Sequence, residues 1–345
     1  MNLKTLEWKD NTLILIDQTK LPNKVEFVEV KTLEDTFVSI RDMIVRGAPA
    51  IGVASAYGVV LSAININEVS FNVFKEILLK ECDYLETARP TAVNLTWAVN
   101  KMKKVIFSYQ GNSIEELREL LEKEAIKIHQ EDIMINKSIG ENLLSLLQDN
   151  NTVLTHCNAG ALATSEYGTA LSVFYIAMEK GMNIKAYADE TRPRQQGAKL
   201  TAFELHNAGI DVTLITDNMA AQVMSEGKID AVIVGCDRVA SNGDTANKIG
   251  TMSVAILAKY FGIPVYIAAP TPTIDMAIES GKDIPIEERD GEEITIINNN
   301  YIALKDVKTY NPSFDVTPAE FITAIVTEKG VVRAPFKEGL QSLFK

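Results

Sequence analysis

From Asn151 to Ala268 the chain alternates short apolar runs with helix-period segments, and a glycine stands just past each helical stretch. The pattern predicts strands at Val153–His156, Asn183–Ala188, Val212–Ile215, Ala231–Val234 and Pro264–Ala268. Between them it predicts helices over Ala161–Lys180, Gln196–Asn207 and Met219–Ser225 and a fourth opening near Asn247, stopped by Gly181, Gly209, Gly227 and Gly262. Glycine is expected there because the residue after a helix commonly turns left-handed, a conformation it adopts without steric cost. Repeated strand–helix units fold as α/β layers, here a doubly wound, Rossmann-like parallel sheet. Ligands of such sheets bind beyond the carboxyl ends of the strands.

Those ends carry Cys157-Asn158, Asp189-Glu190-Thr191, Thr216-Asp217-Asn218, Cys236-Asp237-Arg238 and Ala269-Pro270-Thr271, so polar and reactive groups collect along one rim. No Gly-x-Gly-x-x-Gly follows the first strand and no Walker A sequence occurs, which argues against a dinucleotide or P-loop nucleotide site. The three histidines stand apart and the carboxylates lack ligand spacing, so neither a metal nor a cofactor is expected. Chemistry then falls to side chains. Cys157, placed between a strand and a predicted helix start, is either a structural thiol or a thiolate favoured by the helix dipole. Asp237 is either a structural carboxylate, paired with Arg238 or capping the following turn, or, in an apolar pocket, an acid and base usable near neutrality. His156 and Cys236 read as core packing, His129 as solvated, and Asp244 as a local cap or a partner for Lys248.

The first part of the chain has a different period. Strands are predicted at Leu13–Asp17 and Val25–Val30, and helical periodicity begins near Thr32. Arg46-Gly47-Ala48-Pro49 and Arg89-Pro90 each place an arginine just ahead of a proline, the residue that suits the first turn of a helix. The first of these helices should run to about Leu61, and Ser113–Gln148 reads as one or two charged amphipathic helices. Either arginine alone reads as a surface residue at a hinge; the two together point to a phosphate clamp. The chain therefore divides into a mostly helical domain preceded by short strands, 1–128, and a Rossmann-like catalytic domain, 129–345.

Charge narrows the partners. The 345 residues include 34 Lys plus Arg against 46 Asp plus Glu, a formal net charge of −12. That balance argues against general affinity for nucleic acid or an anionic membrane. Three scattered cysteines form no disulfide framework, and no leader or membrane-spanning run is read from the sequence, so a cytoplasmic protein is expected.

Four segments carry a resemblance. Arg46-Gly47-Ala48-Pro49-Ala50-Ile51-Gly52, Cys157-Asn158-Ala159-Gly160-Ala161-Leu162-Ala163-Thr164, Glu190-Thr191-Arg192-Pro193-Arg194-Gln195-Gln196-Gly197-Ala198 and Gly243-Asp244-Thr245-Ala246-Asn247-Lys248-Ile249-Gly250-Thr251 together resemble the methylthioribose-1-phosphate isomerase family. It shares a superfamily with ribose-1,5-bisphosphate isomerases and the regulatory subunits of translation initiation factor 2B. The likeness extends through Asn311-Pro312-Ser313-Phe314-Asp315-Val316-Thr317-Pro318. It departs at Ser165-Glu166, where Ala-Gly is expected, and at Cys236, where Ala is usual.

The resemblance implies an aldose–ketose isomerase converting 5-methylthioribose 1-phosphate to 5-methylthioribulose 1-phosphate in methionine salvage. Cys157 would be the base or a stabiliser of the transition state, and Asp237 the proton donor. Arg46, Gly47, Ala48, Arg89, Gln196, Asn247 and Lys248 would bind the sugar phosphate. It also implies a homodimer. A 5-deoxyribose-1-phosphate or ribose-1,5-bisphosphate isomerase, or a non-catalytic regulatory subunit, are the other readings.

Overall fold

The structure, a computed structural model, describes residues 4–67, 70–89 and 93–344. The chain forms two compact units, one of Met1–Asn136 with Ala161–Gly168 and the other of Lys137–Gly160 with Thr169–Lys345.

In the first unit β1 (Leu6–Lys9), β2 (Thr12–Ile16) and β3 (Phe27–Val30) form an antiparallel sheet in that order. Leu13 lies opposite Val30 and both are buried, as is Leu15. The strand β1 was not legible, because Leu6-Glu7-Trp8-Lys9 is too short a run to show a period. Helix α1 (Leu33–Arg41) opens on a capping box: Asp35 N–H donates to Thr32 Oγ1 and Thr32 N–H donates back to Asp35 Oδ2, each at 3.0 Å. Such a cap contributes about 1 kcal/mol.

Helix α2 (Ala48–Asn65) is apolar on every side and organises the unit's core, as a helix without a polar face must. It is long and apolar enough to cross a membrane, against the sequence reading, but 78% of the relevant window is buried within the protein. Arg118 closes its far end, donating from Nε to the Ala63 carbonyl at 2.8 Å and from Nη2 to that of Ile66 at 3.0 Å. Those are carbonyls a helix terminus leaves unpaired. Around α2 pack α3 (Phe71–Glu86), α4 (Val93–Ser108) and α5 (Ile114–Leu144). The expected helix start at Pro90 lies outside the described residues. Residues 114–144 form a single helix, which runs past the first unit's boundary at Asn136.

The second unit is built on a seven-stranded sheet. Its strands are β4 (Thr152–Thr155), β5 (Lys185–Asp189), β6 (Val212–Ile215), β7 (Ala231–Val234), β10 (Val265–Ala268), β15 (Ala324–Thr327) and β16 (Gly330–Val332), in the order β16-β15-β10-β7-β4-β5-β6. All neighbours are parallel except β15 and β16. Strands β7, β10 and β15 are buried at every position, as expected for a sheet covered on both faces. The crossovers carry α6 (Ser172–Glu179), α7 (Ala202–Asn207), α8 (Ala220–Ser225) and α9 (Thr251–Phe261), and Gly181, Gly209, Gly227 and Gly262 all have positive φ where helix stops were expected. A second sheet orders β11 (Ile274–Asp275), β8 (Arg238–Ala240), β9 (Thr245–Lys248) and β14 (Phe314–Thr317). The short α10 (Glu292–Thr295), the hairpin β12 (Ile296–Ile297) with β13 (Asn300–Tyr301), and α11 (Phe336–Ser342) complete it.

Two predicted helices take another form. Ala161–Lys180 is helical only as a single 3-10 turn at Ala161–Ala163 and as α6. Residues 161–168 belong to the first unit, where the carbonyls of Ala161 and Leu162 accept from Thr5 Oγ1 and Gln18 Nε2 and the Ser165 N–H donates to Asp132. Side chains thus take up groups that a helix would have paired internally. Likewise Asn247 and Lys248 lie on a strand, β9, because Phe314–Thr317 pairs with Thr245–Lys248 along its whole length. The helix opens later, at Thr251.

Candidate active site

The chain leaves β4 inside the main sheet, adds β5 and β6 on one side, and returns to place β7 on the other. The strand order therefore reverses between β4 and β7, and the crevice beyond the carboxyl ends of two such strands is where open α/β sheets bind ligands. Cys157 follows β4 and Asp237 follows β7.

Cys157 is half-buried and has φ +64°, a left-handed conformation uncommon outside glycine. Two threonine hydroxyls hold its peptide groups. The Cys157 N–H donates to Thr191 Oγ1 at 2.8 Å, and Thr201 Oγ1 donates to the Cys157 carbonyl at 2.6 Å. Asn158 Nδ2 donates to Thr201 Oγ1 at 3.1 Å. Thr191 itself has φ +64° and is fully buried, and the carboxylate of Asp217 accepts from the N–H groups of Thr191 and Arg192, both at 2.7 Å. The dipole expected to act on Cys157 is missing, since only a three-residue 3-10 turn follows Gly160.

His156 is buried between two acceptors, with Nδ1 2.9 Å from Asp189 Oδ2 and Nε2 2.9 Å from the Ile249 carbonyl. It is a structural tie rather than plain packing, and it fixes the loop that precedes α9. Asp189 Oδ1 is buried without a hydrogen-bond partner, and burial raises the carboxyl's pKa against the pull of His156. The fold also gathers His156, Asp189 and Asp217, far apart in sequence, closely enough to hold a metal ion. Most of their ligand atoms are already engaged, however: Asp217 accepts two N–H bonds and both imidazole nitrogens face oxygens, while Asp189 Oδ1 is the unpartnered one. A cation there would displace those bonds.

Asp237 is exposed. Its N–H donates to the Ala246 carbonyl at 2.9 Å. The β8–β9 ladder sets Arg238 opposite Ala246, and the Asp237 N–H reaches the same residue. Arg238 lies 3.7 Å from Asp275, so it has an acidic partner other than the expected Asp237. Asn247 is buried, donating from Nδ2 to Thr251 Oγ1 at 3.0 Å, and the Lys248 ammonium lies 4.5 Å from the Phe314 ring centroid. The start of α9 already carries an anion of its own: Asp315 accepts from Gly250 N–H at 2.7 Å and Met252 N–H at 3.1 Å. Gln196 stands ahead of a π-helical turn, Gly197–Thr201, and its Oε1 is buried without a hydrogen-bond partner.

The remaining expected residues lie on the first unit. Arg46 and Arg89 are half-buried. Gly47 caps α2 at φ +89°, and a Cβ there would stand 2.4 Å from the Ala163 backbone, so the small residue serves a close backbone approach. Ala48 is the first residue of α2. Asp244 is a local tie, accepting from Asn242 Nδ2 and from the N–H groups of Gly281 and Ala319; Lys248 is not its partner. Cys236 is half-buried beside Ala268, with its thiol raised well above the ordinary value by burial. Thr201 and the structural parts played by Thr191 and Asp217 escaped sequence reasoning. Thr191 and Asp217 did stand on the predicted rim, but a hydroxyl that grips a neighbouring peptide leaves no periodic trace.

Known proteins share both the sequence and the fold. The chain is 61% identical over 345 residues to a 5-deoxyribose 1-phosphate isomerase of Clostridium botulinum, covering 99% of each. A crystal structure of 5-methylthioribose 1-phosphate isomerase from Pyrococcus horikoshii OT3 superposes with TM-score 0.96 at 43% identity, covering 100% of this chain and 96% of that one. A structure described as translation initiation factor eIF-2B, subunit delta, from A. fulgidus superposes with TM-score 0.92 at 44% identity over 99% of both chains. The initiation factor 2 subunit family matches residues 44–334, and the chain belongs to that family.

Proposed function

We propose that the protein is an aldose–ketose isomerase whose substrate is 5-deoxyribose 1-phosphate, converted to the 1-phosphate of the corresponding ketose. The observation that carries the chemistry is that Cys157 and Asp237 follow the neighbouring strands β4 and β7, beside the point where the strand order reverses. The substrate follows from the near-full-length similarity at 61% to a protein named for it. This replaces 5-methylthioribose 1-phosphate, and with it methionine salvage, as the leading reading. The methylthio sugar becomes the second, favoured by the Pyrococcus horikoshii structure at 43% identity.

The two substrates pose one problem. Phosphate on the anomeric oxygen stops the ring from opening to a free aldehyde, so the C1–O ring bond must be broken with a proton delivered to the ring oxygen. Asp237 is the donor in this reading. Hydrogen then moves from C2 to C1, as a proton with Cys157 as base or as a hydride with Cys157 stabilising charge. Arg46, Gly47, Ala48, Arg89, Gln196, Asn247 and Lys248 bind the sugar phosphate, the cationic members meeting the dianion. A homodimer is part of the same proposal.

Assay of the purified protein with 5-deoxyribose 1-phosphate, 5-methylthioribose 1-phosphate and ribose 1,5-bisphosphate side by side tests it. The highest kcat/KM is expected for the deoxy sugar. Turnover of none of the three would favour a non-catalytic subunit, the reading suggested by the A. fulgidus protein's description.

A further inference from the structure

Cys157 is held in a backbone conformation that an L-residue with a side chain adopts at a cost, with φ +64°. Such a conformation persists only where the surroundings over-determine it, and here they can be named. Its N–H goes to Thr191 Oγ1 and its carbonyl to Thr201 Oγ1, at 2.8 and 2.6 Å, so both peptide groups of Cys157 end on hydroxyls from other elements. Thr191 is also strained, at φ +64°, and its branched Cβ makes that costlier than for Cys157. The Asp217 carboxylate straps it, taking the N–H groups of Thr191 and Arg192, while Thr191 Oγ1 donates to the Asp189 carbonyl at 3.1 Å. The two threonines are 0% exposed, so water does not compete for these bonds.

We propose that Thr191, Thr201 and Asp217 are positioning residues that set the direction of the Cys157 thiol, Asp217 acting through Thr191; this rests on the reading of Cys157 as a catalytic residue. A chain of this kind aims a side chain without touching substrate. Its loss should cost turnover more than binding.

The experiment compares Thr191→Val, Thr191→Ser, Thr201→Val and Asp217→Asn with the unaltered protein. Steady-state kinetics use 5-deoxyribose 1-phosphate, and the pH profile of Cys157 alkylation by iodoacetamide is followed on the Cys157 peptide by mass spectrometry. Thr191→Val is expected to lower kcat by about 10- to 100-fold with KM little changed, the range for a misplaced reacting group. It should also displace the alkylation profile, and Thr191→Ser should restore both. If Thr191→Val does not fold, Thr201→Val gives the same readings through the carbonyl side. Unchanged kcat and alkylation in Thr191→Val and Asp217→Asn would overturn the proposal, as would a loss of kcat with the alkylation profile intact. Alkylation needs no substrate, so it decides the positioning question even if Cys157→Ala proves active and the catalytic reading falls.

Discussion

His156 Nδ1 lies 2.9 Å from Asp189 Oδ2, with both side chains buried. The opposite nitrogen faces the Ile249 carbonyl, which can only accept, so Nε2 carries a proton and the Nδ1···Oδ2 bond shares another. Burial pulls the imidazole's pKa down, but the Asp189 hydrogen bond and charge and the Ile249 carbonyl outweigh it and raise the pKa above its ordinary value. Burial raises Asp189 as well, so both members hold the shared proton. Unfolded, His156 loses its proton near about 6.5. Between that value and the raised folded one the native state binds more protons, so this contribution is complete below the window and is lost as pH rises through it. Chemical denaturation across pH is expected to show that alkaline decline in the natural protein. The double variant His156→Gln, Asp189→Asn should lack it.

An opposite dependence is expected in the first unit. Tyr57 Oη is 3.0 Å from His129 Nδ1 and the rings meet edge-on, so His129 is partly buried rather than solvated. Burial, with a smaller effect of Lys4, takes its pKa down to about 4. A depressed histidine is neutral when folded but protonates when unfolded below about 6.5, so its contribution stands above that pH and is lost as pH falls toward the folded value. Hydrogen exchange in α2 and α5 should quicken over that acid range, and His129→Gln should flatten the change. An unaltered acid limb in the variant would assign it to other groups.

Gly47→Ala is expected to destabilise the first unit strongly. At φ +89° the backbone alone costs a substituted residue about 1–3 kcal/mol. The new methyl would also sit 2.4 Å from the Ala163 Cα and carbonyl oxygen, atoms of backbone that cannot rotate away. Gly181→Ala is the control, with a similar left-handed φ of +72° and nothing within 4 Å of the added carbon. Thermal unfolding should separate the two by several degrees, Gly47→Ala the lower.

The sheet was legible because its signals are local. Strands β5, β6, β7 and β10 each follow a glycine that ends the helix before them, and these apolar runs, with that of β4, form strands close to where they were expected. What failed depended on partners distant in the chain. Thr245-Ala246-Asn247-Lys248 becomes a strand because Phe314–Thr317 comes to lie beside it, and Ala161–Gly168 departs from a helix because Thr5, Gln18 and Asp132 claim its backbone groups. The same holds in the site. The places of Cys157 and Asp237 just after strands could be read locally, whereas the adjacency of those strands required the strand order, which no single stretch encodes.

The last prediction concerns that pair. Asp237 is exposed, and its amide is fixed to Ala246 across the hairpin, so its backbone is anchored. Cys157, by contrast, is half-buried with both peptide groups engaged. Both backbones are held by their own peptide hydrogen bonds, and Ser and Asn nearly match Cys and Asp in size, so Cys157→Ser and Asp237→Asn should leave the fold intact. Each should nonetheless lower kcat by about 1,000-fold or more if a reacting group has been removed. Because a proton donor acts in the transition state, Asp237→Asn should reduce kcat and kcat/KM together, with little change in KM. Denaturation curves matching the unaltered protein, combined with that kinetic loss, are the expected result. Full turnover by either variant would remove its residue from the mechanism.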